Sequence, residues 1–262
     1  MTKVSSIVAG QDLDAGKDRD LRTFHFSIAV VCAMAAFGRA VDVLPHPEFP
    51  ALLTSLFDNP QQLPLPFKLL ISSIHLYMNA FHHMNFAFNL MALMYYYYGF
   101  VSLVRPLRFA DPKSHGIYSL RSVARAQRIA RLHRELYVMQ IVSNSIFGMF
   151  IFVIEITAVL FSTLNFFEAV AYSNFRGLPV GLLTSLVAFI LFRTMADVYE
   201  ESELARQSWR SVRVKWFVKF SRSARPLAAN VNSFYFADRN LLLTILHVIA
   251  NSTATLILTY RS

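Results

Sequence analysis

Only one cysteine, Cys32, occurs among the 262 residues, so no intramolecular disulfide can form and a stapled secreted scaffold is excluded. Glycine (8) and proline (10) are too sparse for a collagen-like chain or for the many tight turns of a β-barrel. Charged residues make up only 16%, which excludes a disordered, self-repelling chain. The sequence also lacks a G-x-S-x-G elbow, an H-E-x-x-H pair and a glycine-rich phosphate loop, so no hydrolase or nucleotide-binding signature is present. What is there is apolar and aromatic: 55% hydrophobic residues, 24 Phe and 11 Tyr. With a mean hydropathy of +0.42, the composition is that of a membrane protein built from long helices.

Five apolar stretches are long enough to cross a hydrocarbon core, which takes roughly 20 helical residues. They run over about 24–44, 66–104, 136–167, 178–199 and 240–260. No internal repeat or low-complexity linker separates them, so the sequence reads as a single transmembrane domain, all-α, a polytopic helical bundle. Residues 1–22 are polar and mix Lys3, Lys17, Arg19 and Arg22 with four aspartates. That is unlike the basic lead of a cleaved signal peptide, so the first apolar stretch is expected to be retained.

Net charge is +9, and its distribution decides its meaning. Eight Lys or Arg fall between Arg105 and Arg134, and seven between Arg206 and Arg225, whereas the 43–65 loop has none. If the crossings alternate, 21 of the 25 basic residues lie on one side. The positive-inside bias therefore predicts a cytoplasmic N-terminus, an outside C-terminus and five crossings. It accounts for the charge without nucleic acid as a partner.

The second and third stretches exceed what a bilayer needs. At about 1.5 Å per residue, a continuous helix over 66–104 would reach roughly 58 Å, so its end is expected to kink or to project beyond the membrane. Between 206 and 239, Val212, Trp216, Phe217 and Phe220 recur at helical spacing opposite Arg210, Arg213, Lys219 and Arg222. This predicts a basic amphipathic helix leading to the last crossing, ended or bent at Pro226. It could lie on the inner leaflet, serve as a calmodulin-type target, or pack against neighbouring subunits.

Polar groups inside membrane segments are costly and single themselves out. In the second stretch His75, Asn79, His82 and His83 share one broad helical face. The other histidines form no second box, so metal binding is not expected. A hydrated cavity lining and plain interhelical hydrogen bonding remain as readings. Glu155, near the middle of the third stretch, should be neutral or paired and face the bundle interior.

One stretch goes further. SFYFADRNLLLTIL, Ser233–Leu246, resembles the lead-in to the final helix of arthropod gustatory receptors, a family that also includes insect odorant receptors. Aligned from Asp238 to the family's terminal signature (Thr-Tyr, five residues, Gln-Phe), Thr253 falls on the Thr, Ala254 on the Tyr, and Tyr260 and Arg261 on the Gln-Phe. LHREL (Leu132–Leu136) followed by NSIFG (Asn144–Gly148) is similar to the start of the family's fifth helix. Phe217–Ala228 resembles the short cytoplasmic part of its seventh.

The resemblance covers about residues 120–262 and implies a ligand-gated, non-selective cation channel subunit, with no catalytic residue and no cofactor. It implies a homo- or hetero-tetramer joined by a cytoplasmic anchor, into which long helices project, and a small organic ligand as partner. Carried over by position, Thr253, Ala254, Ile257 and Tyr260 become pore-lining candidates, while Asn79, His82 and Glu155 become ligand-pocket candidates from polarity and depth. Family members have seven crossings. The five here would correspond to the third through seventh, as in a truncated and divergent member. Two other classes stay open: an integral membrane enzyme acting on lipids, centred on the histidines and Glu155, and a non-conducting accessory subunit.

Overall fold

The computed structural model describes residues 19–34, 36–37, 59–109, 120–171, 177–210, 212, 214–232 and 234–261. It is helical nearly throughout. Helix α1 covers 19–34, α2 Leu65–Val104, α3 Leu120–Ala171, α4 Gly177–Trp209, α5 Lys215–Ser223 and α6 Arg239–Arg261. Four of these, α2, α3, α4 and α6, are long and apolar enough to cross a membrane among the described residues. The expected first crossing, about 24–44, overlaps α1 and then runs into residues outside the described set, as do residues 1–18 of the polar N-terminus.

The long helices have an unbroken backbone reason. Leu, Met, Phe and Tyr fill α2 with no interior glycine other than Gly99 and no proline beyond its first turn, so nothing interrupts the i to i−4 ladder over 40 residues. Its outward side chains are apolar: Tyr77, Met84 and Phe88 are about 70% exposed within the chain, which only lipid or another apolar surface can accommodate. In α3, 52 residues reach roughly 78 Å, more than twice the hydrocarbon core. Its polar first part, up to Glu135, therefore lies beyond the apolar stretch that begins at Leu136.

Two compact units emerge where the sequence reads as one domain: Met1–Ala92 with Arg176–Val187, and Leu93–Phe175 with Ala188–Ser262. Their boundaries fall inside α2 and α4, continuous helices that offer no change of composition for a sequence reading to detect. The first unit holds α1 and the first turns of α2 and α4. Within it the thiol of Cys32 on α1 lies 3.5 Å from the carbonyl of His83 on α2.

The second unit is organised on α3, against which α5, α6 and a small β-ladder pack. The 206–239 segment, expected as a basic amphipathic helix ended or bent at Pro226 and an entry to the last crossing, carries a short helix that stops just before that proline. Residue 210 closes a turn after α4, α5 lasts only nine residues, and after Ala224 the chain is extended. Pro226 lacks the N–H and forces its predecessor out of the helical region. Beyond it Asn230–Val231 (β1) pairs antiparallel with Tyr235–Phe236 (β2), with Asn230 opposite Phe236 and Val231 opposite Tyr235. Asn232 turns the chain with φ of 55°, a left-handed conformation that Asn adopts at little cost.

Candidate functional site

Two features of the second unit carry the polar chemistry: a rail along α3 that holds the strand segment, and the outward face of α6 that the segment leads into.

The rail is read upward along α3. His133 Nε2 meets the carbonyl of Arg225 at 3.2 Å. Asn144 then faces the chain twice, its Nδ2 donating to the carbonyl of Ala228 at 3.1 Å and its Oδ1 accepting from the N–H of Asn230 at 3.1 Å. The same Oδ1 accepts from Gln140 Nε2 at 2.8 Å, which fixes the amide's orientation. One turn on, the carbonyl of Gly148 accepts from the N–H of Asn232 at 3.1 Å. A Cβ at Gly148 would lie 3.2 Å from both the Cα and the N of Asn232, so the hairpin reaches α3 this closely only over a glycine. Two turns further, the hydroxyl of Tyr235 donates to the carboxylate of Glu155. Positions 133, 140, 144, 148 and 155 are separated by seven, four, four and seven residues, which puts all five on one helical face.

Below the rail, in the part of the unit outside the apolar stretches, an aromatic cluster forms around Trp209. Its ring centroid lies 5.3 Å from His133, 5.8 Å from Phe217 and 5.8 Å from Phe220. Phe109 meets Phe217 edge-on at 5.8 Å. Such pairs are worth about 0.5–1.5 kcal/mol each beyond the area they bury. On α5, Phe217 is thus fully buried within its own chain, while Trp216 stays 39% exposed. The connection after α2 is clasped here by Glu201, which pairs with Arg108 at 2.5 Å and Arg105 at 3.5 Å. Ser202 Oγ accepts from the N–H of Leu227 at 2.8 Å, and Glu200 pairs with Arg239 at the start of α6.

From that clasp α6 rises along α3, burying Leu242, Ile245 and Ile249. It is the least enclosed of the four spans: 17% of its most apolar window is buried, against 33% to 44% in the others. On its outward face Asn240, Thr244, His247, Asn251 and Thr255 are all exposed and recur four, three, four and four residues apart. The threonine hydroxyls satisfy themselves on their own backbone, Thr244 on the Asn240 carbonyl and Thr255 on that of Asn251, both at 2.9 Å. The imidazole and the Asn251 amide have no such local sink.

The four pore-lining candidates carried over from the resemblance lie differently. Thr253 and Ile257 are half-buried, with the Thr253 hydroxyl bonded to the Ile249 carbonyl at 2.8 Å. Tyr260 meets Phe167 of α3 edge-on at 5.7 Å. Ala254 is exposed beside Asn251 and Thr255, and Tyr260 is 55% exposed despite its contact with α3.

The pocket candidates divide between the two units. Asn79 and His82 belong to the first unit and Glu155 to the second. The Asn79 side-chain amide donates to the His75 carbonyl at 2.9 Å, and the Asn79 backbone carbonyl meets His83 Nδ1 at 2.7 Å, both along α2. His82 is exposed and edge-on to His83. No group of three His, Cys, Asp or Glu is placed to hold a metal among the described residues. A groove of about 520 Å³ between α1 and α2 is lined by apolar side chains such as Ala29, Ala33, Leu76, Ala80 and Met84, and includes none of the three.

No protein-family model matches the chain, and no curated protein matches it.

Two signals in the sequence could have shown this arrangement. The five polar residues of α6 stand at helical spacing, and an Asn four residues before a lone mid-span glycine marks a site where another backbone approaches α3.

Proposed function

We propose that this chain is a chemosensory-type subunit of a ligand-gated cation channel, related to the arthropod gustatory receptors it resembles, in which α6 lines the ion path. In this reading several copies surround a common axis, the N-terminus is cytoplasmic and the C-terminus outside, and small organic molecules open the path. The supporting observation is the polar stripe on the outward face of α6. Asn251 lies about 18 Å along the helix from Arg239, at mid-membrane depth, where an amide facing hydrocarbon without a partner costs several kcal/mol. Water in a central path, shared with other copies of the helix, removes that cost. The Trp209 cluster and its clasp suit the role of anchor beneath such a helix, because they hold the base of α6 on the chain's own aromatic core.

The stripe, rather than Thr253, Ile257 and Tyr260, is then the pore side, with Ala254 at its edge. Cysteine scanning in a Cys32→Ser background tests this in membranes. His247→Cys, Asn251→Cys and Thr255→Cys should react with a charged, water-soluble methanethiosulfonate and change the membrane current, while Ile245→Cys and Ile249→Cys stay inert. If the stripe positions react only with a membrane-permeant reagent, α6 faces lipid and the channel reading is lost.

A further inference from the structure

The last turns of α4 and the helix α5 enclose a crevice of about 390 Å³, lined by Glu203, Arg206, Trp209, Arg210, Ser221 and Arg222. Three guanidinium groups meet a single carboxylate there. Arg206 Nη1 donates to Glu203 Oε2 at 2.7 Å, yet its Nε is buried without a hydrogen-bond partner among the described residues. Arg210 and Arg222 are exposed, and neither has a carboxylate partner among the described residues. No acidic residue occurs in the sequence between Glu203 and Asp238 to supply one from this segment.

Chemistry narrows what such a crevice takes. A carboxylate offers two acceptor oxygens and saturates one guanidinium fork, whereas a phosphomonoester offers three terminal oxygens and up to two charges and can answer several forks at once. The Trp209 wall excludes water from one side and strengthens each charge-assisted bond. The volume suits a phosphorylated small molecule rather than a bare ion. Arg206 stands seven residues past Tyr199, where the apolar stretch of α4 ends, or about 10 Å along the axis. That is headgroup depth on the side that carries the basic stretches.

We propose that Arg206, Arg210 and Arg222 form a binding site for a phosphomonoester-bearing anion, supplied either by a lipid headgroup or by a soluble phosphate ester. Glu203 positions the Arg206 fork, and Ser221 lines the opposite wall. The site does not depend on α6 lining a pore, and its occupancy would tie the ends of α4 and α5 together beneath the last helix.

The full chain in phosphatidylcholine nanodiscs tests this, with and without a few per cent of phosphatidylinositol bisphosphate, with bound lipid read by native mass spectrometry. In a second arm, inositol trisphosphate is titrated onto the chain in plain phosphatidylcholine discs. Binding in the lipid arm alone assigns a headgroup, and binding in the second arm assigns a soluble ester; either supports the site. An Arg206→Gln/Arg222→Gln double variant should weaken binding about tenfold or more. Lys215→Gln/Lys219→Gln removes the same charge from α5 outside the crevice and should change it less than about threefold. Because Arg206 is partly buried, Arg210→Gln/Arg222→Gln at two exposed heads carries the test if the first pair fails to fold. Absence of binding in both arms, or equal loss in the crevice and control pairs, would overturn the proposal.

Discussion

The indole N–H of Trp209 donates to the carbonyl of Leu107 at 2.8 Å, joining the end of α4 to the chain just past α2 through a buried bond. Both residues are fully buried. The same indole is the centre on which His133, Phe217 and Phe220 converge, so the hydrogen bond fixes the orientation of the whole aromatic cluster.

Trp209→Phe keeps most of the apolar volume but strands the Leu107 carbonyl, at a cost of about 1–3 kcal/mol. Trp209→Ala also opens a cavity among three rings and should cost about 3–5 kcal/mol. Thermal unfolding in detergent, followed by intrinsic fluorescence or by aggregation onset, should rank wild type above Phe above Ala. A Phe variant as stable as wild type would show that the bond contributes nothing net.

Gly148 tests the rail. Ala in its place favours the helix by about 1 kcal/mol but presses a methyl onto the Asn232 backbone, so the net change should stay within about 1 kcal/mol. Gly148→Leu cannot fit under the hairpin and should displace residues 225–236 from α3. Limited chymotrypsin digestion at Leu227, Phe234 and Tyr235 should accelerate several-fold in the Leu variant and little in the Ala variant. Equal protection in both would mean that the hairpin does not sit on this glycine.

The bond between Tyr235 and Glu155 predicts non-additivity. Tyr235→Phe leaves the half-buried carboxyl without its donor, and Glu155→Leu leaves the phenol without its acceptor. The double variant should be more stable than the sum of the singles implies, with a coupling of about 1–3 kcal/mol. Strict additivity would remove the pair as a determinant of where Glu155 points.

His133 gives a pH dependence. Its ring stacks on Tyr137, contacts Trp209 and Phe220 edge-on, and lies three residues before the apolar stretch of α3. Burial pushes its pKa below the ordinary 6.5; the bond to the Arg225 carbonyl opposes this and the Arg206 charge adds to it. The unfolded chain therefore takes up a proton before the folded one. Stability should be full above about pH 6.5 and fall as the pH drops below it, levelling once the folded imidazole itself protonates. The unfolding midpoint should decrease between about pH 7.5 and 5.5 in wild type, and the slope should shrink in His133→Gln. Identical slopes would place the titrating group elsewhere.

The spans were legible in the sequence because their signal is local. The stretch expected at 66–104 is α2 over Leu65–Val104, and that expected at 240–260 is α6 over Arg239–Arg261, since a run of apolar residues without helix breakers needs no partner to be recognised. The 206–239 segment is legible only in part: an amphipathic helix stopped at Pro226 follows from the sequence, and the hairpin beyond it does not. Its apolar spacing is real, but α5 stops after nine residues because Pro226 and the rail on α3 offer the following backbone better hydrogen bonds than a helix would. For Glu155 the sequence leaves a neutral and a paired state open; its carboxylate accepts from the hydroxyl of Tyr235, 80 residues away, a partner that no periodicity could single out.

By itself, then, the sequence determined that this is a helical chain with apolar runs long enough to cross a membrane and with most of its Lys and Arg gathered between them, because hydropathy and charge are summed along the chain. Only the tertiary structure decided which side of each helix is used. The direction of the α6 polar stripe, the hairpin over Gly148 and the three arginines around one crevice depend on which elements pack on α3, and those contacts join residues tens of positions apart.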